Sequence, residues 1–370
     1  MIAPASAPLE PRTIAEAVDA VRGHPRLLPI GAGTKPGLAV PPPGHTALTL
    51  RSLTGIGEYD PSEYTFTALA GTPLREIESN LARHGQYLPF DPPFSEAGAT
   101  LGGTIAAGLS GPGRQRYGGV RDFILGVRFI TGKGELAYGG GKVVKNAAGF
   151  DLPKLFVGSL GRLGVIVEAT FKVFPRPRAM ATLRVRFPDF ARALEALVRL
   201  GSAPFDLEAL ELEPAALPSE GALTLRLGGA PEALAERLVR LEQFTGGTAE
   251  RFEGEAEAAL WRGQRLPATD IPGTLLVKVP ITPKRIQEFE RQVGRAGSAR
   301  RYSASGSVAW ILWPGTAAEL HAVLVSQALA GLVVSGPTDR PILGATRGDN
   351  FRARIKSALD PEGRFPDFNP

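Results

Sequence analysis

The chain has 370 residues, of which 43% are hydrophobic and 21% charged, with a formal net charge of +5, a composition that excludes a disordered chain and leaves room for two domains. It contains no cysteine, which excludes disulfides, thiolate metal ligands and an iron–sulfur cluster held by this chain. Its basic residues form no run, which argues against nucleic-acid binding, and no apolar stretch approaches the roughly 20 residues that cross a bilayer. Met1–Pro11 has neither a basic nor an apolar leader pattern, so a cytoplasmic protein without direct membrane insertion is expected. His24, His45, His84 and His321 share no metal-binding spacing, so no metal site is expected, and redox chemistry would need an organic cofactor or a partner chain.

In chain order, Thr13-Ile14-Ala15-Glu16 reads as a capping box that opens a helix with Ile14, Val18 and Val21 on one face and Gly23 as its stop. Arg26–Ile30 reads as a short buried strand running into Gly31-Ala32-Gly33-Thr34-Lys35. A second helix is predicted with Thr72 as cap, Pro73 at its first position, and Leu74, Ile77 and Leu81 turned inward. Phe123–Ile130 and Leu163–Phe174 are strand-like, and Gly132-Lys133-Gly134 reads as a hairpin turn. Pro175-Arg176-Pro177 punctuates the chain. Beyond it the pattern is βαββαβ: strand 181–187, a helix with Phe190, Leu194 and Leu197, strands 207–212 and 222–227, a helix with Leu234, Leu238 and Leu241, and a short strand at 248–252. The pattern recurs from Thr274 to Ser335, with a helical linker around 253–270 anchored by Trp261. Two split-βαβ units in one largely antiparallel sheet, helices on one face, are therefore expected.

Four glycine-rich segments carry the chemistry. In Gly31–Lys35, glycines let successive backbone N–H groups converge into an anion nest. The segment has neither the dinucleotide-fold nor the Walker spacing, so an ordinary tight loop is the plain alternative. The run from Gly98 to Gly111 is dominated by small residues that let backbone approach a flat ring or a phosphate; as plain structure it would be a tightly packed Gly/Ala helix. Tyr117-Gly118-Gly119-Val120-Arg121-Asp122 and Gly158-Ser159-Leu160-Gly161-Arg162-Leu163-Gly164-Val165-Ile166 complete the set, and each alone could be a turn.

Taken together and in this order, the segments resemble the FAD-binding domain of the vanillyl-alcohol oxidase family, the PCMH-type flavoproteins, over roughly residues 10–178 plus a DPxGxF-type tail at Asp360–Phe365. Within it, Gly108–Pro112, Val120–Gly126 and Lys145-Asn146-Ala147-Ala148-Gly149-Phe150-Asp151 look most like the FAD-binding subunits of bacterial glycolate oxidases. The resemblance implies an α+β protein: a PCMH-type domain over 1–178, an α+β cap over 179–340 and a C-terminal segment, 341–370, returning to the first domain. It further implies FAD, with Gly31, Ala32, Gly33, Thr34 and Lys35 at the pyrophosphate and Ala99, Thr100, Gly102, Gly103, Ala106 and Gly108 along the flavin and its phosphates. Gly164, Val165 and Ile166 would meet the adenosine, and Tyr117 and Gly118 would border the flavin. The first loop has no histidine or cysteine, so noncovalent binding is expected. No base is evident for oxidising a 2-hydroxy acid: His321 borders the apolar face of a helix, and the histidine-rich C-terminal motif of related catalytic flavoproteins is missing. The resemblance thus implies an accessory oxidoreductase subunit beside a catalytic FAD-linked subunit and an iron–sulfur subunit, acting on a small 2-hydroxy acid at the level of the complex and reaching a membrane only through those partners. An autonomous 2-hydroxy-acid dehydrogenase and a scaffold without a redox role are the alternatives.

Overall fold

The computed structural model describes residues 7–141, 151–214, 220–264, 272–294 and 299–368. The chain divides into two units, one of Met1–Ser110, Gly119–Pro175 and Arg347–Pro370, the other of Gly111–Gly118 and Arg176–Thr346. The division falls at Pro175 and Thr346 against the expected 178 and 340, and the short stretch 111–118 goes with the second unit. The motif residues Lys145–Phe150 lie outside the described residues.

The first unit opens with α1 (Ile14–Gly23), capped by Thr13, whose hydroxyl accepts from the Glu16 N–H. Then come β1 (Leu27–Ile30), β2 (Thr46–Thr49), β3 (Ile56–Asp60), β4 (Thr65–Leu69), α2 (Leu74–Ala82), β5 (Gln86–Tyr87) and α3 (Leu101–Ala107). After α4 (Arg114–Tyr117), which belongs to the second unit, the chain forms α5 (Val120–Phe123), β6 (Ile124–Ile130), β7 (Leu136–Gly140), α6 (Leu152–Phe156), β8 (Val165–Lys172) and β9 (Phe174–Pro175). β1 and β2 pair in parallel from Leu27↔Thr46 to Ile30↔Thr49, and β5 pairs with β9. The main sheet is antiparallel in the order β3-β4-β8-β6-β7, with the β6–β7 hairpin turning at 131–135. β8 lies centrally and is buried on both faces, as its run of Val165, Ile166 and Val167 requires. Ala17 and Val21 of α1 share a core with Leu27, Leu48, Ile130, Val165 and Phe365.

One local expectation changes. Thr72 does not cap α2; Pro73 occupies the cap position, and the Thr72 hydroxyl instead joins the Gly55 backbone, accepting from its N–H and donating to its carbonyl. The small-residue run contains the Gly/Ala helix offered as its plain structure, α3, despite the poor intrinsic helix propensity of its paired glycines. Tertiary anchors compensate: Leu101 N–H donates to the Thr72 carbonyl, Gly102 N–H to the Ala70 carbonyl, and the Thr100 hydroxyl accepts from Gly103 N–H. A Cβ on Gly102 would stand 2.7 Å from that of Ala70, so glycine is required there by the close approach of α3 to the strand end.

The second unit contains β10 (Ala179–Phe187), α7 (Phe190–Gly201), β11 (Ala209–Pro214), β12 (Gly221–Gly229), α8 (Pro231–Thr245), β13 (Thr248–Glu253) and α9 (Gly254–Gln264). It continues with β14 (Leu275–Pro280), α10 (Pro283–Val293), β15 (Ala299–Ser303), β16 (Val308–Trp313), α11 (Ala317–Ser326), β17 (Ala330–Ser335) and β18 (Ile342–Gly344); α12 (Asp349–Leu359) returns to the first unit. The sheet runs β13-β10-β12-β11-β15-β16-β14-β17-β18, antiparallel throughout. Each split-βαβ unit supplies four strands, and the two join edge to edge where Leu212 pairs with Tyr302. β18, unforeseen in the sequence, adds an outer strand.

The alternation along each strand sends Leu183, Leu225, Leu212, Val277 and Ile311 into one core with the apolar faces of α7, α8, α10 and α11. The other face is polar on β10, β11 and β12 but carries the buried Leu276, Trp310, Leu312 and Val334 in the second split-βαβ unit. On its polar part, α9 docks through Trp261, whose Nε1 donates to the Thr182 hydroxyl, and through Glu257, which pairs with Arg226. At the seam Glu213 pairs with Arg301, and the fully buried Glu211 accepts from Ser303; burial pushes the Glu211 carboxyl up to about 7.

Candidate functional site

β1 delivers the chain into Gly31–Lys35. The loop is fixed at its start, where the Thr49 hydroxyl donates to the Gly31 carbonyl at 3.1 Å, and it turns through Gly33, whose φ of 72° is left-handed. Among the described residues, the main-chain N–H groups of Gly31, Ala32, Gly33, Thr34 and Lys35 have no protein acceptor. Consecutive donors left to solvent in this way form a ready concavity for an anion.

Lys35 closes the loop. It is 9% exposed, donates to the Thr34 hydroxyl at 3.0 Å and lies 5.2 Å from the centre of the Phe94 ring. Burial lowers its ammonium from the ordinary lysine range to about 8.

Two adjoining cavities open beside the loop, with about 470 and about 360 Å³ of empty space. Pro29, Ile30, Gly31, Thr100, Gly103 and Ala106 line both, so they form one groove along β1 and α3. The first cavity takes in the rest of the loop to Lys35, then Leu38, Ala39, Ala107 and Leu160. The second takes in Leu50, Ala70, Gly102, Gly161, Gly164, Val165 and Ile166. Small and aliphatic groups make most of the walls, and the consecutive N–H groups of Gly31–Lys35 belong to the first cavity.

The structure thus brings together Gly31, Ala32, Gly33, Thr34, Lys35, Thr100, Gly102, Gly103, Ala106, Gly164, Val165 and Ile166. Four other expected site residues lie outside both linings. Ala99 is fully buried, and its carbonyl accepts from Leu74 N–H, tying α2 to α3. Gly108 ends α3 in a left-handed cap. Tyr117 and Gly118 go with the second unit, where the Tyr117 hydroxyl meets Glu208 at 3.1 Å. Conversely, Leu38, Ala39, Leu50 and Ala70 line the groove without any motif to announce them; only their position in the fold brings them there. The N-terminal amides of α3 from Leu101 to Thr104 all have protein acceptors, so α3 offers the groove a wall of small side chains and leaves anion binding to the loop.

Among the described residues, no histidine, aspartate, glutamate or tyrosine lines either cavity. His321 accepts at Nδ1 from Gly344 N–H and so joins α11 to β18, His24 contacts the Ala20 carbonyl, and the His84 ring packs edge-on against Tyr59. Among the described residues no cluster of three or more acidic or histidine side chains is placed to hold a metal, and no helix is long and apolar enough to cross a membrane.

Residues 5–138 match the family model of the FAD binding domain. The chain is 36% identical over 344 residues to the glycolate oxidase subunit GlcE of Escherichia coli (strain K12), covering 90% of this chain and 89% of that protein. It is 31% identical over 189 residues to the glycolate oxidase subunit GlcD of Bacillus subtilis (strain 168), covering 50% of this chain but 40% of that protein. In fold it is similar to a solved alkyldihydroxyacetonephosphate synthase, with a TM-score of 0.70 at 16% identity over 96% of this chain and 74% of that one. The chain belongs to the family of the glycolate oxidase subunit GlcE, FAD-binding oxidoreductase subunits built on the PCMH-type fold of the vanillyl-alcohol oxidase flavoproteins.

Proposed function

We propose that this chain holds FAD noncovalently in the groove between β1 and α3, as an accessory subunit of a complex that oxidises glycolate or a closely related 2-hydroxy acid. The observation that carries the first part is the row of N–H groups from Gly31 to Lys35 without protein acceptors. Two bridged phosphates need several converging donors, and this loop supplies them beside a buried lysine. The rest of the groove fits the remainder of a dinucleotide: glycine and alanine admit flat rings, and Leu50, Val165 and Ile166 offer apolar contact. With no cysteine in the chain and no histidine in the groove's lining, nothing there would bond to the flavin.

Bound FAD would supply two-electron acceptance, while the residues of the groove bind and orient it and exclude water. Hydroxy-acid oxidation also needs a base near neutral pKa for the hydroxyl proton; among the described residues Lys35 alone is titratable in the groove lining, and this reading commits it to the pyrophosphate. This supports an accessory role, with a second flavin subunit handling the substrate and an iron–sulfur subunit passing electrons onward.

The test is purification of the chain alone and, separately, after co-expression with its neighbouring oxidase subunits. The isolated chain should be yellow, release its flavin on denaturation, and leave the flavin oxidised when glycolate or D-lactate is added. The assembled complex should reduce an artificial acceptor with one of these acids. Rapid substrate-dependent bleaching of the isolated chain would instead establish an autonomous dehydrogenase, and a colourless chain that cannot be reconstituted would establish a scaffold.

A further inference from the structure

A buried lysine is ordinarily held by a carboxylate, and this protein contains such a case. Lys356 is 8% exposed and donates to the Asp360 carboxylate and to the carbonyls of Arg162 and Phe365. Lys35 is as deeply buried, yet its partners are a hydroxyl and an aromatic ring, and among the described residues no other titratable side chain lines its cavity. No carboxylate and no second cation acts on it; burial alone displaces its proton equilibrium. A buried ammonium in the lining of the cavity that also takes in Gly31–Thr34, with no carboxylate among its contacts, lacks a counter-ion. A diphosphate supplies one.

We propose that Lys35, buried in the lining of the groove with no carboxylate among its contacts, is a proton-linked counter-ion for the cofactor's pyrophosphate and takes up a proton when the diphosphate docks. The inference rests on the FAD reading above and adds a residue-specific linkage to it. The sign follows from the direction of the displacement. Burial lowers the affinity of Lys35 for its proton in the free protein, and a neighbouring dianion raises it in the complex. Between those two values the complex holds more protons than the free chain, so affinity must fall as pH rises. Below them Lys35 is charged in both states, and pH has no hold on binding through this group.

The test is calorimetric titration of FAD into the cofactor-free chain at pH 6.5, 8.0 and 9.0, in buffers of different ionisation heat, which counts protons taken up per FAD bound. With Lys35 at about 8 in the free chain, the expected uptake is close to zero at pH 6.5, about half a proton at 8.0 and nearly one at 9.0. Lys35→Met should bind more weakly with uptake near zero throughout. Lys35→Arg, whose charge does not titrate in this range, should restore binding while leaving uptake near zero. Tight binding by the native chain at pH 9.0 without uptake, or undiminished uptake by Lys35→Met, would overturn this inference alone. Failure of FAD to bind any of the three forms would overturn the cofactor reading and this inference with it.

Discussion

Gly31→Ala is expected to weaken FAD binding by at least about a hundredfold while leaving the cofactor-free chain folded. An added Cβ at position 31 would stand 2.4 Å from the Thr100 hydroxyl oxygen and 3.5 Å from the Gly103 Cα. Thr100 is 2% exposed and caps α3, so its hydroxyl is not free to swing away. If it rotates, Gly103 N–H loses its acceptor and the helix loses a cap worth about 1 kcal/mol. If the loop moves instead, the N–H groups of residues 31–35 leave the positions that converge on the groove. Each hydrogen bond to a charged acceptor contributes about 1.5–3 kcal/mol, and losing two of them exceeds the roughly 2.8 kcal/mol that a hundredfold change in affinity represents. Flavin absorbance during a titration gives the affinity, and thermal unfolding without FAD checks the fold. Affinity within about threefold of the native chain would show that the loop does not set the cofactor's position.

Asp360→Ala should destabilise the first unit by about 3–5 kcal/mol, the usual consequence of leaving a buried charge without its partner. Asp360 is 3% exposed. Its carboxylate accepts from Lys356, from Arg364 N–H at 2.9 Å and from Phe365 N–H at 3.0 Å. These bonds seat Phe365 in the core with Val21, Leu27 and Val165, and the Arg364 carbonyl accepts from Leu27 N–H at 2.7 Å. The C-terminal segment therefore braces β1, the strand that aims the loop at 31–35. The midpoint of thermal unfolding should drop by on the order of ten degrees, with flavin released before the second unit melts. A double variant, Asp360→Leu with Lys356→Met, should recover only part of the loss. It removes the stranded ammonium but still leaves the N–H groups of Arg364 and Phe365 without an acceptor. Full recovery would mean that the carboxylate serves Lys356 alone.

Periodicity made much of this fold legible. The helices bearing Phe190, Leu194 and Leu197, or Ile286, Phe289 and Val293, show one apolar face each, and the doubled βαββαβ order survives as two joined units in a single sheet. Glycine density located the groove because loop and wall alike require missing side chains. Physics that acts across the sequence was harder to read. Gly102 and Gly103 weaken a helix locally, and α3 forms because the Ala70 and Thr72 carbonyls supply acceptors from elsewhere beside the local cap of Thr100. Ala99 and Gly108 share the small-residue signature of the groove but serve a backbone junction and a helix end. The short strands β2, β3 and β4 alternate too briefly to stand out, and α12 hides its modest apolar character among charges. Lys35 carries no sign of its burial in the sequence. Its burial comes from the surrounding groove walls, which no local pattern encodes.

The most direct measurement is a crystal structure of the chain grown with FAD. The account places pyrophosphate oxygens within about 3.2 Å of several N–H groups of Gly31–Lys35, with the Lys35 ammonium beside them. Density for FAD elsewhere on the chain, or a loop whose N–H groups bond to protein acceptors instead, would contradict it.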